Sequence, residues 1–461
     1  MKRGRRPTVL VYNPISGHGH LDSWNALFVA LLLSRGWHVL ALTPDAATLL
    51  ERLDYRGTAH RERLQVLDWN AHVSRSRGWL RELWRRWDRF GDRYFHGRPG
   101  SELKPDLPRA EYWRRRVYRA VVPFLFRASY FVYTRWQRLR RPAAAASEPE
   151  QDPHAACPIE MGRRVNAALR KARWQPDLVF NMYMDAYGTS AARWDAFARG
   201  NALPWAGIRF VPAARPQEPW YELDAWRCMC LLDEDVCRDY AAARPQQYFA
   251  YLPDITETAL PDAPSELARQ IKARAAGRRI VFLGGSIGGQ KNLARWFECV
   301  ARADPAVWFF VQIGEIHRGT LTPQDLAALD AALARPPEHL LLHASYLPDE
   351  RAFNEVIELS DVIFAVYREF RISSNMLSKA SHFGKPVLVS KRYLLGRRVE
   401  TYGIGATVDE DDAADIVAGL ERVVRHPVPR SRFERYASDH SESALAERLV
   451  RFLNECTLYG E

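Results

Sequence analysis

A glycine-rich loop that ends in a lysine is well suited to bind an anion. The loop has the sequence Gly-Gly-Ser-Ile-Gly-Gly-Gln-Lys over residues 284–291 and follows the apolar run Ile280–Leu283. Its glycines allow backbone N–H groups to approach phosphate oxygens, and the Lys291 ammonium would neutralise their charge. Because residue 292 is asparagine and the spacing differs from G-x-x-x-x-G-K-[ST], a P-loop ATPase or kinase is disfavoured.

A second candidate anion site lies in the stretch Tyr367–Ser390, which we interpret as a loop, a short helix and a buried strand. Ser373 and Ser374 suit the N-cap, Gly384 suits the position after the helix, and Pro386 prevents its continuation. Unpaired N–H groups and the dipole at a helix start favour negative charge. An ordinary capped helix between two strands has the same pattern, so both interpretations stay open.

The first buried run of the chain also leads into a polar, glycine-containing loop. Residues Pro7–Asn13 predict a strand, and the loop after it carries Gly17, His18 and His20. The first strand–helix loop of an open α/β sheet commonly borders the ligand crevice, so we expect these residues at a cleft. The alternative is a turn whose glycines only permit the backbone geometry.

Asp185 holds a comparable place later in the first half. It follows the predicted strand Pro176–Asn181 in the loop Met182–Gly188. A carboxylate there could bind a substrate, or it could cap the next helix.

Alternating strand and helix patterns position these loops and predict an α/β fold. Two Rossmann-like domains are expected to face each other across a cleft, with a binding surface on each side. The predicted domains are residues 1–252, with an insertion at about 70–158, and residues 253–461. The last helix, from about Glu442 to Cys456, could cross back to the first domain.

The positive charge of the chain is concentrated in one segment. The net charge is +11, and residues 70–141 contain nineteen Lys or Arg against six Asp or Glu. Tryptophans recur there between arginines at helical spacing, as in helices that lie on anionic membranes. An aromatic stripe packed on the domain, with solvated arginines, would look the same. Nucleic acid is not expected as a partner because no recognised nucleic-acid motif accompanies the charge.

The cysteines and the apolar runs indicate the compartment. Six cysteines show no C-x-x-C pair and no metal-ligand spacing, as expected of reduced thiols in a cytoplasmic protein. Apolar runs are shorter than the roughly 18 residues of a transmembrane helix. We therefore expect a cytoplasmic protein, peripheral on the inner face of the plasma membrane if residues 70–141 bind lipid.

In the second half, the order of motifs resembles the GT-B glycosyltransferases, and most closely the group-one (family four) retaining enzymes. The matching segments are residues 285–291, Tyr346-Leu-Pro348, Ser360-Asp361 and Ala380-Ser-His-Phe-Gly-Lys-Pro-Val387. The resemblance implies that the second domain binds the diphosphate of a nucleotide sugar. By this resemblance, Lys291 and the helix start at Ser373, Ser374 and Asn375 hold the diphosphate. Further predicted donor-binding residues are Gly17, Gly285 and Ser286 in the glycine-containing loops, and Arg371 and Lys379, which could add positive charge against the diphosphate.

This sequence departs from the family motifs at three positions. Ser286 stands where the family has arginine, and Arg371 and Lys379 replace both glutamates of the E-x7-E motif. The second glutamate normally accepts hydrogen bonds from the ribose, whereas a lysine ammonium can only donate. Another acceptor, such as Ser378, Ser381 or Glu369, could replace it, or the donor could be held differently.

The leading hypothesis is a metal-independent glycosyltransferase with no cofactor, which uses a nucleotide-diphosphate sugar as co-substrate. His18, His20 and Asp185 are its candidate catalytic residues, and a glycan or lipid-linked acceptor in bacterial surface glycan assembly is the expected partner. The alternatives are a nucleotide-sugar epimerase of the same architecture and a catalytically inactive, membrane-associated protein that binds nucleotide sugars.

Overall fold

The structure is a computed structural model that describes residues 6–16, 20–69, 156–201, 203–345, 347 and 349–458, without the side chains of His20, Arg227 and Leu458. The predictions for Gly17, His18 and the segment 70–141 therefore lie outside the described residues. Contacts divide the chain into one unit of residues 1–67 and 156–461 and a second of residues 68–155. The structural findings below concern the first unit.

The first half of this unit contains a seven-stranded sheet in the order β3-β2-β1-β4-β5-β6-β7. Strand β1 pairs in parallel with both β2 and β4. Its strands are β1 (Thr8–Tyr12), β2 (His38–Thr43), β3 (Leu64–Asp68), β4 (Leu178–Asn181), β5 (Trp205–Arg209), β6 (Trp226–Leu231) and β7 (Tyr248–Tyr251). The helices of this half are α1 (His20–Ser34), α2 (Ala46–Tyr55), α3 (Pro158–Leu169), α4 (Ala191–Ala198) and α5 (Glu234–Ala243).

The second half contains a six-stranded sheet in the order β10-β9-β8-β11-β12-β13. Its strands are β8 (Arg279–Gly284), β9 (Trp308–Ile313), β10 (Leu340–His343), β11 (Val362–Ala365), β12 (Val387–Ser390) and β13 (Gly405–Val408). Its helices are α6 (Glu266–Ala275), α7 (Leu293–Arg302), α8 (Pro323–Ala334), α9 (Glu350–Leu359), α10 (Met376–His382), α11 (Tyr393–Tyr402), α12 (Ala413–Arg425) and α13 (Arg430–Asp439). A final helix, α14, spans Glu442–Leu458.

Each sheet has its own apolar core, as expected for strands covered on both faces. Apolar residues of β8, β9, β11 and β12 form the core of the second half together with α7 and α10. In the first half, the core combines β1, β2 and α1 with residues of α14, among them Leu449 and Phe452. The last helix therefore completes the apolar core of the first sheet, although it follows the second sheet in the chain.

The α/β class with two Rossmann-like sheets, predicted from the alternation of strands and helices, is confirmed. Within the described ranges, no helix is both long and apolar enough to cross a membrane.

The start of the short helix α10 differs from the prediction. Its N-cap position is Asn375, which has helical backbone angles and makes no capping hydrogen bond with its side chain in the described part of the chain. Ser374 Oγ accepts a hydrogen bond of 3.4 Å from the Met376 N–H, whereas Ser373 Oγ accepts one from Arg398. The predicted cap at Ser373 was wrong, because the helix begins two residues later, with Asn375 at the N-cap position, and the Ser373 hydroxyl accepts from a distant arginine.

Candidate functional site

The candidate site lies at the carboxyl edge of the second sheet, where the strand order changes direction. From β8 the chain moves outward through β9 and β10, and it returns to the other side of β8 with β11, β12 and β13. Loops that leave two neighbouring strands in opposite directions open a crevice between them, which is where ligands bind in open α/β sheets. Here the two loops are residues 285–292, after β8, and residues 366–375, after β11.

Lys291 connects these two loops. Its ammonium donates hydrogen bonds to the Gly284 carbonyl oxygen at 3.0 Å and to the Tyr367 hydroxyl at 2.9 Å. It also lies 4.1 Å from the centroid of the Tyr367 ring, which adds a cation–π contact. An ammonium has three N–H donors, and among the described residues these two hydrogen bonds leave one donor for a ligand. The predicted position of Lys291 beside the second loop therefore agrees with the structure.

The β8 loop is tightly fitted to the loop that follows β9. Gly285 has a φ of +93° and Gly314 a φ of +148°, which favour glycine at both positions. A Cβ atom on Gly314 would lie 1.8 Å from the Gly285 carbonyl oxygen, so a side chain there would displace the loop. Beside them, Ser286 is exposed at the surface of the β8 loop.

Three non-glycine residues with positive φ mark the loops of adjacent strands at this edge. They are Asn292 after β8, Glu369 after β11 and Tyr393 after β12, with φ values of +56°, +47° and +65°. Such conformations cost free energy and persist where the surrounding contacts enforce them, often at functional sites. Buried Glu410 holds part of this arrangement, since its carbonyl accepts from Asn292 Nδ2 and its carboxylate from the Glu369 N–H.

Arg368 and Asp325 hold the β11 loop against the start of α7. The guanidinium of Arg368 donates to both Asp325 oxygens, at 2.9 and 3.1 Å, and to Asn292 Oδ1 at 3.0 Å. Although burial alone raises the pKa of Asp325, hydrogen bonds from Arg368, from Thr322 and from the Ala294 N–H lower it to about 2. The pair therefore stays ionised at neutral pH and supports the loop that carries Tyr367.

Arg371 is the exposed cation of the β11 loop. Its guanidinium carbon lies 4.8 Å from the centroid of the Tyr393 ring. No carboxylate of the described residues lies within ion-pair distance of it, whereas Lys391 and Arg392, which directly precede Tyr393 in the chain, are both paired with Asp409. Arg371 thus combines exposure with an unneutralised charge.

Ser373 connects the same loop to α11. Arg398 Nη1 donates to Ser373 Oγ at 2.9 Å, and Arg398 Nη2 donates to the Leu232 carbonyl and the Glu234 carboxylate in the first half. Sequence analysis did not single out Arg398, because no motif contains it and its partners are distant in the chain. Ser374 and Asn375 are half-buried at the start of α10.

Lys379 was predicted to bind the donor, but its ammonium is already fully hydrogen-bonded within the protein. Its side chain is 1% exposed, and Nζ donates to the Glu257 carbonyl at 2.8 Å, to Glu350 Oε1 at 2.5 Å and to Asn354 Oδ1 at 2.5 Å. Three acceptors use all three N–H donors, so none is left for a diphosphate. Burial lowers the pKa of Lys379, and Glu350 partly offsets that effect. Through the Glu257 carbonyl, Lys379 anchors the joining segment, which is the stretch between β7 and α6 that connects the two halves.

The three candidate replacements for the ribose-binding glutamate differ in exposure. Ser378 is buried and donates to the Asp254 carbonyl at 2.5 Å, and Ser381 is also buried. The Glu369 side chain is exposed, beside Arg368 in the β11 loop. Glu369 is therefore the acceptor that a ribose could reach.

In the first half, the change of strand direction lies between β1 and β4. Asp185 follows β4, and its two oxygens accept the N–H groups of Phe210 at 2.7 Å and Val211 at 3.0 Å. Arg209 Nε lies 3.4 Å from the same carboxylate. Asp185 therefore joins the loops after β4 and β5 and does not cap α4. His20 is the first residue of α1, and Gly17 and His18 lie outside the described residues.

Comparison with solved structures identifies the architecture. Sequence comparison finds no matching family model and no matching curated protein. The chain is similar to trehalose-6-phosphate synthase of E. coli bound with UDP-2-fluoroglucose, with a TM-score of 0.56, 11% identity and coverage of 98% of this chain and 99% of that one. The chain has the GT-B fold.

Two other GT-B structures resemble the chain over a similar extent. Sucrose-phosphate synthase of Thermosynechococcus elongatus has a TM-score of 0.55 and 12% identity, and the match covers 98% of this chain and 99% of that one. HepE of Anabaena, in complex with UDP and glucose, has a TM-score of 0.55 and 8% identity, with coverage of 97% and 99%. These similarities establish the GT-B fold, and the activity has to be argued from the residues of the site.

Proposed function

We propose that this GT-B protein is a glycosyltransferase that transfers a sugar from a nucleoside-diphosphate sugar to an acceptor. The observation that carries the proposal is the position of Lys291, which joins the β8 and β11 loops where the strand order changes direction. A cation fixed at that point, with one N–H donor left, suits a diphosphate whose charge grows as the sugar departs.

The remaining contacts would come from the same two loops. Arg371 would add a second cation from the β11 loop, and Ser373 and Ser374 would add hydroxyl groups. The backbone N–H of Ser286 would approach the phosphates from the β8 loop, next to Gly285, whose own N–H donates to the Ile313 carbonyl at 3.1 Å. Asn375 would border the site at the start of α10. We propose Glu369 as the ribose acceptor, because it is exposed and held with a positive φ in that loop.

Charge neutralisation by Lys291 and Arg371 supports a reaction that needs no metal ion and no further cofactor. The test is to assay transfer before and after dialysis against EDTA. Unchanged rates are expected, and a loss of activity that Mg²⁺ or Mn²⁺ restores would contradict metal independence.

The acceptor and its membrane association are proposed from the sequence of residues 70–141. Their surplus of arginine and their recurring tryptophans suit contact with an anionic lipid surface, and hence a lipid-linked or polysaccharide acceptor at the inner face of the plasma membrane. Co-sedimentation of the full chain with vesicles tests this. Binding to vesicles that contain phosphatidylglycerol, and not to pure phosphatidylcholine, is expected, whereas negligible binding to both rejects the proposal.

A binding protein without turnover is the second candidate, and a specific observation favours it. Both glutamate positions of the family motif carry cations here, and all three donors of Lys379 are used by Glu257, Glu350 and Asn354. In the first half, His18, His20 and Asp185 are the proposed contacts of the reacting sugar or acceptor, yet Asp185 already binds two backbone N–H groups. Turnover thus depends on the histidines or on the substrates themselves.

The deciding experiment incubates the pure chain with UDP, GDP, ADP and dTDP and with their sugar derivatives, and it measures thermal unfolding. Stabilisation by one nucleotide family is expected, and no stabilisation by any of them contradicts the proposal. Assays with membrane extract then separate the candidates. Transfer supports the transferase, binding without transfer supports the binding protein, and conversion of the sugar without an acceptor supports an epimerase.

A further inference from the structure

We infer that Arg398 is a positioning residue that orients the Ser373 hydroxyl towards the donor diphosphate and ties it to the first half of the protein. The inference rests on the proposed function. Its starting point is the hydrogen bond of 2.9 Å from Arg398 Nη1 to Ser373 Oγ. A guanidinium is only a donor, so Ser373 accepts with a lone pair, and its own proton remains available for a phosphate oxygen.

The other contacts of Arg398 fix its position from the first half. Nη2, with two N–H donors, lies within hydrogen-bond distance of the Leu232 carbonyl at 2.7 Å, the Glu234 carboxylate at 3.0 and 3.1 Å, and the Tyr251 hydroxyl at 3.3 Å. The guanidinium carbon also lies 5.6 Å from the centroid of the Tyr251 ring. One planar group therefore contacts the end of β6, the start of α5, the end of β7 and the β11 loop, which carries Ser373 and is the proposed donor loop.

Burying the guanidinium of Arg398 costs free energy, so stability alone does not explain its contacts. Arg398 is 4% exposed, and its Nε is a buried donor without a partner among the described residues. A buried ion pair with an unpaired N–H often contributes less stability than apolar side chains of similar size. The arrangement is better explained by its geometric effect, which is to give Ser373 a fixed hydroxyl orientation relative to both halves.

The adjacent arginine provides a matched control. Arg397 lies on the same helix and also contacts the first half, with Nη2 3.0 Å from both Asp233 oxygens and Nε 2.7 Å from Asp235. No hydrogen bond or ion pair joins its side chain to the donor loop within the described ranges. A substitution at Arg397 thus weakens the contact between the halves without affecting Ser373.

Isothermal titration of the full chain with UDP, and with GDP and ADP in parallel, tests the inference. Ser373→Ala and Arg398→Lys are each expected to weaken diphosphate binding by about tenfold, the size expected for a hydrogen bond to a charged group. Because the two residues act through one hydroxyl, the double variant should bind within about twofold of the weaker single variant. Arg397→Lys should bind like the wild type.

The outcomes distinguish the inference from the proposed function. Losses that multiply in the double variant, or an Arg397→Lys variant as weak as Arg398→Lys, overturn the positioning role. Should Arg398→Lys fail to fold, Ser373→Thr, which keeps the hydroxyl, is compared with Ser373→Val, which lacks it. Equal affinities of this pair also overturn the inference. A wild-type chain that binds none of the diphosphates contradicts the proposed function, and the inference falls with it.

Discussion

The ammonium of Lys291 lies 2.9 Å from the hydroxyl of Tyr367 and 4.1 Å from the centroid of its ring. The two residues belong to the loops that follow β8 and β11. These strands are neighbours in the sheet, although 78 positions separate Gly284, at the end of β8, from Val362, at the start of β11. Their contact joins the two sides of the crevice where the strand order changes direction, and it fixes one cation at the place that we propose for the donor diphosphate.

Replacing Tyr367 by phenylalanine tests how the lysine is held. The Tyr367→Phe variant keeps the ring and removes the hydroxyl, so Lys291 loses one acceptor but keeps the cation–π contact. We expect the free energy of unfolding to fall by about 1 kcal/mol, the usual net value of one hydrogen bond. Urea unfolding measures this change. An unchanged midpoint would show that the hydroxyl does not stabilise the lysine.

Lys379 is expected to support the joining segment and not the donor. Lys379→Met removes three hydrogen bonds, two of them to the buried Asn354 and the Glu257 carbonyl, while the Glu350 carboxylate is half exposed and can be solvated. The expected loss of stability is about 2 kcal/mol, below the value for a fully buried pair because of that exposure.

Two measurements check the Lys379 prediction. Urea unfolding should show the loss for Lys379→Met and little change for Lys391→Met, which removes an exposed ion pair with Asp409. Titration with UDP at a temperature where both variants are folded should give affinities near that of the wild type. A large loss of UDP affinity in Lys379→Met alone would return this residue to the donor site.

Stability should fall as the pH decreases because of His440. Burial, and then the nearby Arg398, lower the pKa of this imidazole to about 3. Its Nδ1–H donates to the Tyr436 carbonyl, so Nε2 is left to accept from the Tyr251 hydroxyl.

The sign of the pH effect follows from the unfolded state, in which histidine has a pKa of about 6.5. Between that value and about 3 the unfolded chain binds a proton that the folded chain does not, so the free energy of unfolding decreases with falling pH by up to about 1.4 kcal/mol per pH unit. Urea unfolding of the wild type and of His440→Gln between pH 7.5 and 5 checks this. Identical slopes for the two proteins would contradict the prediction.

The Arg368–Asp325 pair should stabilise the β11 loop. The Asp325 side chain is 0% exposed and that of Arg368 25% exposed, so Arg368→Met leaves a buried carboxylate with its main cation removed. We expect a loss of about 3 kcal/mol of stability, and weaker binding of UDP because the loop that carries Tyr367 and Arg371 loses its anchor.

A control separates this pair from a general charge effect. Arg318→Met removes an ion pair between exposed side chains, Arg318 and Asp330, in the same half of the protein and should change stability by well under about 1 kcal/mol. Similar stability for Arg368→Met and Arg318→Met would show that the Arg368–Asp325 pair is not a structural anchor.

Buried apolar runs made the fold predictable from sequence. Strands β1, β8 and β9 are buried at almost every position, and the glycine loop after β8 follows directly from one of them. Strand β13 was not predicted, because it is short and its residues are small and mostly half-buried. Strand β3 was not predicted either, because most of its residues are also half-buried. Both are edge strands, where packing imposes a weaker pattern.

The site was only partly predictable, for a physical reason. Lys291 could be placed because the loops of neighbouring parallel strands meet at one edge. The roles of Lys379 and Ser373 could not, since they depend on Glu257, Asn354 and Arg398, whose positions relative to them arise only from tertiary packing. A sequence motif identifies the position of a residue, whereas the direction of its side chain is set by such distant partners.

Titration of the full chain with UDP, GDP, ADP and dTDP, comparing the wild type with Lys291→Met, tests the central claim most directly. The control is Lys272→Met, since Lys272 is an exposed lysine of α6 in the same half. We predict that the wild type and Lys272→Met bind one of these diphosphates equally well and that Lys291→Met binds it at least about tenfold more weakly. Absence of binding to the wild type, or equal binding by Lys291→Met, would contradict a diphosphate site at the edge between β8 and β11.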